Sequence, residues 1–170
     1  MRAVRRSGDL RYRLLLLFVT LALPGCRVTW RQPEIKPLNP VRQFAVAAGS
    51  LCDGLLGTLD GLDMEIASVA REEDACLVET EFRRLGESDE SYEKLDRVAY
   101  AANAAFFSHG RFLVTGSVRE TAAGSRLRLT TRIEGFDAGY KLLRSTGVIE
   151  EMLFDRVGAA VGAAANESGA

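Results

Sequence analysis

Apolar positions recur along this chain in two rhythms, and the change from one to the other outlines a fold. Val41, Phe44, Ala48, Leu51, Cys52, Leu55 and Leu59 fall at steps of three and four, the spacing that gathers side chains onto one stripe of a helix. Asn39-Pro40 stands before this stretch as an N-cap with proline at the first helical position, and Gly61 is placed to end it. The period then drops to two. Met64, Ile66 and Ser68 alternate with Glu65 and Ala67; after a charged turn at residues 71–74, Cys76, Val78, Thr80 and Phe82 alternate with Leu77, Glu79, Glu81 and Arg83. Further on, Phe112, Val114, Gly116 and Val118 alternate with Leu113, Thr115, Ser117 and Arg119, and a loop at residues 122–124 leads into a matching run. There Leu127, Leu129, Thr131 and Ile133 alternate with Arg126, Arg128, Thr130 and Arg132. Strict alternation of this kind belongs to an antiparallel sheet covered on one face only.

A turn at residues 135–139 and a short strand at Tyr140 and Leu142 bring the chain to Ser145 or Thr146, either of which can cap a last helix. Glu150 and Glu151 lie in its first turn, favourable at the positive end of the helix dipole, and its apolar face is Ile149, Leu153, Val157, Ala160 and Val161. Between the two hairpins, Tyr92, Leu95, Val98, Ala102 and Phe106 fit a helix, whereas Val98-Ala99-Tyr100 could begin a strand. The helix is the favoured reading, as an insertion that packs Phe106 or Phe107 on the core. The expected architecture is α+β: a two-layer domain over residues 41–163 with an antiparallel sheet of four to five strands packed by N- and C-terminal helices. Residues 164–170 form a small, polar tail expected to be disordered.

The first quarter of the chain follows different rules. Arg2, Arg5, Arg6, Arg11 and Arg13 precede an apolar run at residues 14–23 that is broken only by Thr20, the layout of an export signal. The run is about half the roughly 20 residues that cross a bilayer and stops at Pro24-Gly25, so a cleaved signal peptide, residues 1–25, is expected rather than a permanent span. Leu23-Pro24-Gly25-Cys26 resembles the lipobox of bacterial lipoproteins: an aliphatic residue at minus three, a small one at minus one and then cysteine. The resemblance implies a covalent lipid on Cys26 and cleavage before it; an ordinary signal peptide with a chance cysteine is the alternative. Several acyl chains make a stable anchor where one would be marginal. Arg27 rather than Asp after the cysteine implies, by the sorting rule of that family, the outer membrane.

Cleavage there changes the charge. Five of the 22 basic and one of the 23 acidic side chains precede Cys26, which leaves 17 against 22 and a net charge of −5. No nucleic-acid partner is expected of such a chain, since binding the phosphate backbone needs a basic surface. Residues 26–40 carry three prolines and read as an extended tether, able to reach about 3.1 Å per residue. Trp30 within it is either an indole at the lipid interface, the favoured reading, or an anchor for a partner.

With Cys26 assigned, Cys52 and Cys76 remain as an even pair in an oxidising compartment. A structural disulfide is favoured over two buried thiols. The spacing is not that of a redox CxxC pair, and no metal site is expected with His109 the only histidine. His109 itself, in Ser108-His109-Gly110, reads as a solvated turn residue; Asp60, Asp63, Glu72, Glu73 and Asp74 read as turn carboxylates rather than calcium ligands or an acid–base pair. No catalytic residue and no cofactor beyond the lipid is expected, so the protein reads as a non-enzyme.

Arg126, Arg128 and Arg132 share the polar face of the sheet with Glu79, Glu81 and Arg83. They are expected to form a cross-strand ion ladder, with recognition of an anionic group as the sharper alternative. The order of helix, strands and closing helix after a lipobox and a tether is similar to the helix-grip domains of the BamC family of outer-membrane assembly lipoproteins, which implies a non-enzymatic accessory role. The expected function is therefore a membrane-anchored interaction module for an envelope assembly or secretion complex, facing the periplasm from the outer membrane. The alternative is a lipid- or glycan-binding carrier with a cavity lined by Leu55, Phe82, Leu129 and Val157.

Overall fold

A computed structural model describes residues 39–85, 94–100 and 107–167. Cys26, Trp30, the signal segment and most of the tether lie outside the described residues, as do Tyr92, Ala102 and Phe106 of the expected central helix. The elements in chain order are β1 (Val41–Phe44), α1 (Ala48–Asp60), β2 (Ile66–Arg71), β3 (Ala75–Thr80), β4 (Arg83–Leu85), α2 (Leu95–Val98) and β5 (Ala99–Tyr100). They continue with β6 (His109–Thr121), β7 (Gly124–Phe136), β8 (Tyr140–Ser145) and α3 (Val148–Glu167). The class is α+β as expected, but the antiparallel sheet has eight strands rather than four to five.

The axis of the sheet is the long hairpin of β6 and β7, paired residue for residue from His109–Phe136 to Thr121–Gly124. Gly124, at φ 110°, closes its turn in a region that residues with a Cβ avoid. Each outer edge of this hairpin is covered by two short strands laid end to end. Along β6, β3 pairs with Thr115–Arg119 and β4 with Gly110–Phe112; along β7, β1 pairs with Ser125–Arg128 and β8 with Ile133–Phe136. β2 lies outside β3 and β5 outside β8.

The three extra strands, β1, β4 and β5, account for most of the differences from the sequence reading. Val41 and Phe44 belong to β1 and not to the first helix, which begins at Ala48. The Asn39 side chain does accept the Val41 amide, at 3.3 Å, as an N-cap would, but the chain then runs extended. Pairing explains the choice: that stretch of β7 would otherwise leave backbone groups unmet, and the Pro40 carbonyl accepts the Leu129 amide at 2.9 Å. Gly61 follows the helix in a right-handed conformation, and the left-handed residue that turns the chain is Asp63, at φ 53°. In the central stretch the helix is one turn, Leu95–Val98, and Ala99–Tyr100 is a strand on β8, the reading that the sequence made second choice.

Beneath the sheet, α1 and α3 pack on its inner face and on each other. Leu51, Leu55, Leu59, Val114, Val118, Leu127, Leu129, Ile133, Ile149, Leu153 and Val157 form one buried core. The fit is close where Leu55 crosses β6: a Cβ on Gly116 would lie 2.6 Å from a Leu55 methyl. On α3, Ile149, Leu153, Val157 and Val161 are buried as expected, Phe154 is buried beside them, and Ala160 alone of the expected face is exposed. Arg42 of β1 lies over Phe154, 4.8 Å from its ring centre, and pairs with Asp155 at 2.6 Å. At the start of α3, the Ser145 hydroxyl accepts the Gly147 amide and donates to the buried carboxylate of Glu150. The sulfurs of Cys52 and Cys76 stand at disulfide distance, 2.08 Å, joining α1 to β3. Among the described residues no helix is long and apolar enough to cross a membrane.

Candidate functional site: the outer face of the sheet

No described element covers the opposite face of the sheet, and both strands of the β6–β7 hairpin present their alternate residues there. On β6 these are His109, Arg111, Leu113, Thr115, Ser117 and Arg119; on β7 they are Arg126, Arg128, Thr130, Arg132, Glu134 and Phe136. Cross-strand pairing then decides which of them meet, and it does not build the expected ladder. Arg126 lies opposite Arg119, and Arg128 opposite Ser117, while Glu79 faces Thr115. Arg83 leaves this face altogether: it pairs with Phe112, and its guanidinium donates to the Leu62 carbonyl on the inner side.

That departure follows from a break in register between β3 and β4. Two residues, Glu81 and Phe82, separate the strands, and the Glu81 amide bonds back to Glu65 at 2.8 Å. The alternation slips, so Phe82, expected inside with Cys76 and Val78, lies outside against arginines.

At the end of the face formed by β4, β8 and the ends of β6 and β7, a cluster assembles around one carboxylate. Glu134, with a side chain only 6% exposed, accepts Arg111 at 2.7 Å and Arg132 at 2.8 Å through different oxygens. The guanidinium of Arg111 is held between two rings, 3.6 Å from the centre of Tyr140 and 4.1 Å from that of Phe82. Arg132 also reaches over Phe82, at 5.8 Å. Phe136 meets Tyr140 edge-on at 5.2 Å, and the imidazole of His109 stacks on Phe136 at 4.7 Å with planes 16° apart. Burial opposes ionisation of Glu134, but the hydrogen bonds and charges of Arg111 and Arg132 outweigh it and hold the carboxyl below its ordinary value of 4.5.

Sequence reading identified Arg132 and missed the rest of this cluster. One signal was present: Glu134 is the sole carboxylate on the exposed side of β7, two residues from Arg132 and therefore on the same face. Phe82, Arg111 and Tyr140 could not have been found, because their meeting depends on the slipped register and on the edge shared by β8. No protein-family model matches the sequence, and no curated protein is significantly similar to it.

Arginine, tyrosine and phenylalanine are enriched in protein interfaces, and arginine and tyrosine among the residues that dominate their energetics. Tyr140 is 42% exposed, and Leu142, two residues along β8 and paired with Glu134, is 71% exposed. His109 has the Ser108 hydroxyl at 3.0 Å on Nδ1 and the Tyr140 hydroxyl at 3.5 Å on Nε2. Among the described residues no carboxylate orients this imidazole, so the pair lacks the third member that activates a nucleophile. Among the same residues no three of His, Cys, Asp and Glu are grouped to hold a metal ion.

Proposed function

We propose that this protein is a membrane-anchored lipoprotein of the cell envelope that acts as an interaction module, docking an envelope protein on the outer face of its sheet. The observation that carries the reading is the ordered cluster of Arg111, Arg132 and Glu134 with Phe82, Phe136 and Tyr140. Arginines fixed in advance by a shared carboxylate and two rings lose little side-chain entropy on binding, the condition under which a surface cluster becomes an anchor point. The lipobox and tether supply the other half of the reading: a lipid on Cys26 keeps the domain at the membrane, facing the periplasm. The similarity of layout to BamC-type assembly lipoproteins points the same way. Close packing of Leu55, Leu129 and Val157 in the core, with Phe82 outside it, favours this over an internal lipid or glycan carrier.

The test is photocrosslinking in the native cell from a photoreactive residue at Leu142, with mass spectrometry of the captured species and of the mature N-terminus. One dominant envelope protein, lost in the Glu134→Gln variant, and an acylated Cys26 are the expected results. Capture of lipid alone would favour the carrier, and an unmodified N-terminus would remove the anchor.

A further inference from the structure

The other end of the outer face carries a different chemistry. Arg126 and Arg128 project from β7, and Arg119 stands on β6 directly opposite Arg126. All three are exposed, and among the described residues none has a carboxylate partner. Like charges set directly across a pair of strands cost stability, and this chain carries more carboxylates than cations, so the imbalance is local. The acidic turn that holds Glu72, Glu73 and Asp74 adjoins Arg119 through the bond from the Glu120 amide to the Asp74 carbonyl, but no ion pair joins it to the arginines. Arg126 and Arg128 are one strand further from it.

The position of this patch decides what it can meet. Val41, the first residue of β1, pairs with Arg128, and Gln43 pairs with Arg126, so the chain that precedes Asn39 joins the domain beside the patch. Only 12 residues separate Cys26 from Asn39. At about 3.3–3.6 Å per residue, even a fully extended segment keeps this end within roughly 45 Å of a lipid on Cys26, and a relaxed one keeps it much closer. Planar guanidinium groups on one exposed face suit phosphates spread over a surface, each able to take two parallel hydrogen bonds.

We propose that the Arg119–Arg126–Arg128 end of the outer face docks on the anionic phospholipid headgroups of the membrane that carries the anchor. The proposal rests on the lipid-anchored reading above. It gives the two ends of the face separate roles. The basic end lies on the membrane, and Glu134, six residues along β7 from Arg128 and so roughly 20 Å away, is held clear of it with its cluster for a protein. Arginines at an anionic surface act nearly independently, so the three together shift the equilibrium between docked and undocked domain on the order of a hundredfold.

The test uses the full chain purified from its native membrane and placed in bilayer discs of phosphatidylcholine, with or without phosphatidylglycerol. Arginine-selective modification by phenylglyoxal is followed peptide by peptide. In the anionic discs, modification of Arg119, Arg126 and Arg128 is expected to slow several-fold and to recover in high salt, while Arg156, exposed on α3, reacts alike in both. Equal rates at the three arginines in both discs would overturn the proposal. So would protection found in cells but absent from anionic discs, which would assign the patch to an acidic protein instead. Retention on the neutral discs reports the anchor alone: a chain that washes off them overturns the anchored reading, whatever the arginines do.

Discussion

The two ends of the outer face are built from the same residue type in opposite circumstances. At one end, Arg111 and Arg132 share Glu134 and are stacked on Phe82 and Tyr140, so each has a partner and a fixed direction. At the other end, Arg119, Arg126 and Arg128 are exposed, Arg119 lies directly across from Arg126, and among the described residues none of the three has a carboxylate partner. Both stretches read alike along β7, as arginines alternating with aliphatic residues. What separates them is Glu134, which lies across from Arg111 and two residues along β7 from Arg132, whereas Arg126 faces another arginine. A charged face therefore has to be judged pair by pair: a satisfied pair is ordered and available for directional contact, whereas an unsatisfied one stores repulsion that an anionic surface can relieve.

Stability measurements probe this contrast directly. The largest effect is expected from removing both cysteines as Cys52→Ser and Cys76→Ser, which frees a loop of 24 residues and should lower unfolding free energy by about 3 kcal/mol. Cys76 lies opposite Val118, next to the basic end. If the two ends belong to one cooperative unit, fluorescence probes at both will report the same shifted midpoint in denaturant; a shift confined to the basic end would show that they do not.

Next comes Glu134→Gln, which leaves two arginines facing a neutral, half-satisfied partner and should cost about 2 kcal/mol. Its counterpart, Arg128→Gln, should stay within about 0.5 kcal/mol of the parent in the same denaturation assay, since it removes no pair. Equal losses would erase the distinction between the two ends. A pH series adds a second criterion. Because the carboxyl of Glu134 in the folded protein is held below 4.5, its contribution is fully present above that value and is lost as pH falls through the lower folded value. Acid should therefore weaken the parent more than Glu134→Gln, and a parallel pH dependence of the two would contradict the assignment.

Smaller effects are expected from the rings and from repulsion. Tyr140→Leu keeps bulk but removes one face of the stack on Arg111, at a cost of about 0.5–1 kcal/mol by the same assay. Arg126→Gln relieves the contact with Arg119 and should raise stability by a few tenths, about 0.3 kcal/mol. A loss of that size instead would mean that Arg126 already has a counterion within the chain.

Much of the fold was legible because burial on one face imposes a period of two that survives any arrangement of neighbours. Cys76, Val78 and Thr80, then Phe112 to Val118 and Leu127 to Ile133, face inward as their alternation required. The stripe Leu51, Cys52, Leu55 and Leu59 likewise faces the sheet, and it brings Cys52 over Cys76. The short edge strands were not legible. Four residues in β1, three in β4 and two in β5 are too few to show a period, and each is extended because a neighbouring strand offers it unpaired backbone groups. Val41 and Phe44 even mimic the helical stripe that follows them.

The candidate site divides along the same line. From the sequence alone came the inward and outward faces of the hairpin, the class of the fold, the pairing of Cys52 with Cys76 and the presence of arginines outside, because each follows from spacing within one element. Which arginine meets a carboxylate, which meets a ring and which meets another arginine was decided only by tertiary structure. Those meetings depend on register across strands and on the slip at Glu81 and Phe82, and a one-residue slip moves a side chain to the other face without changing a letter of the local pattern.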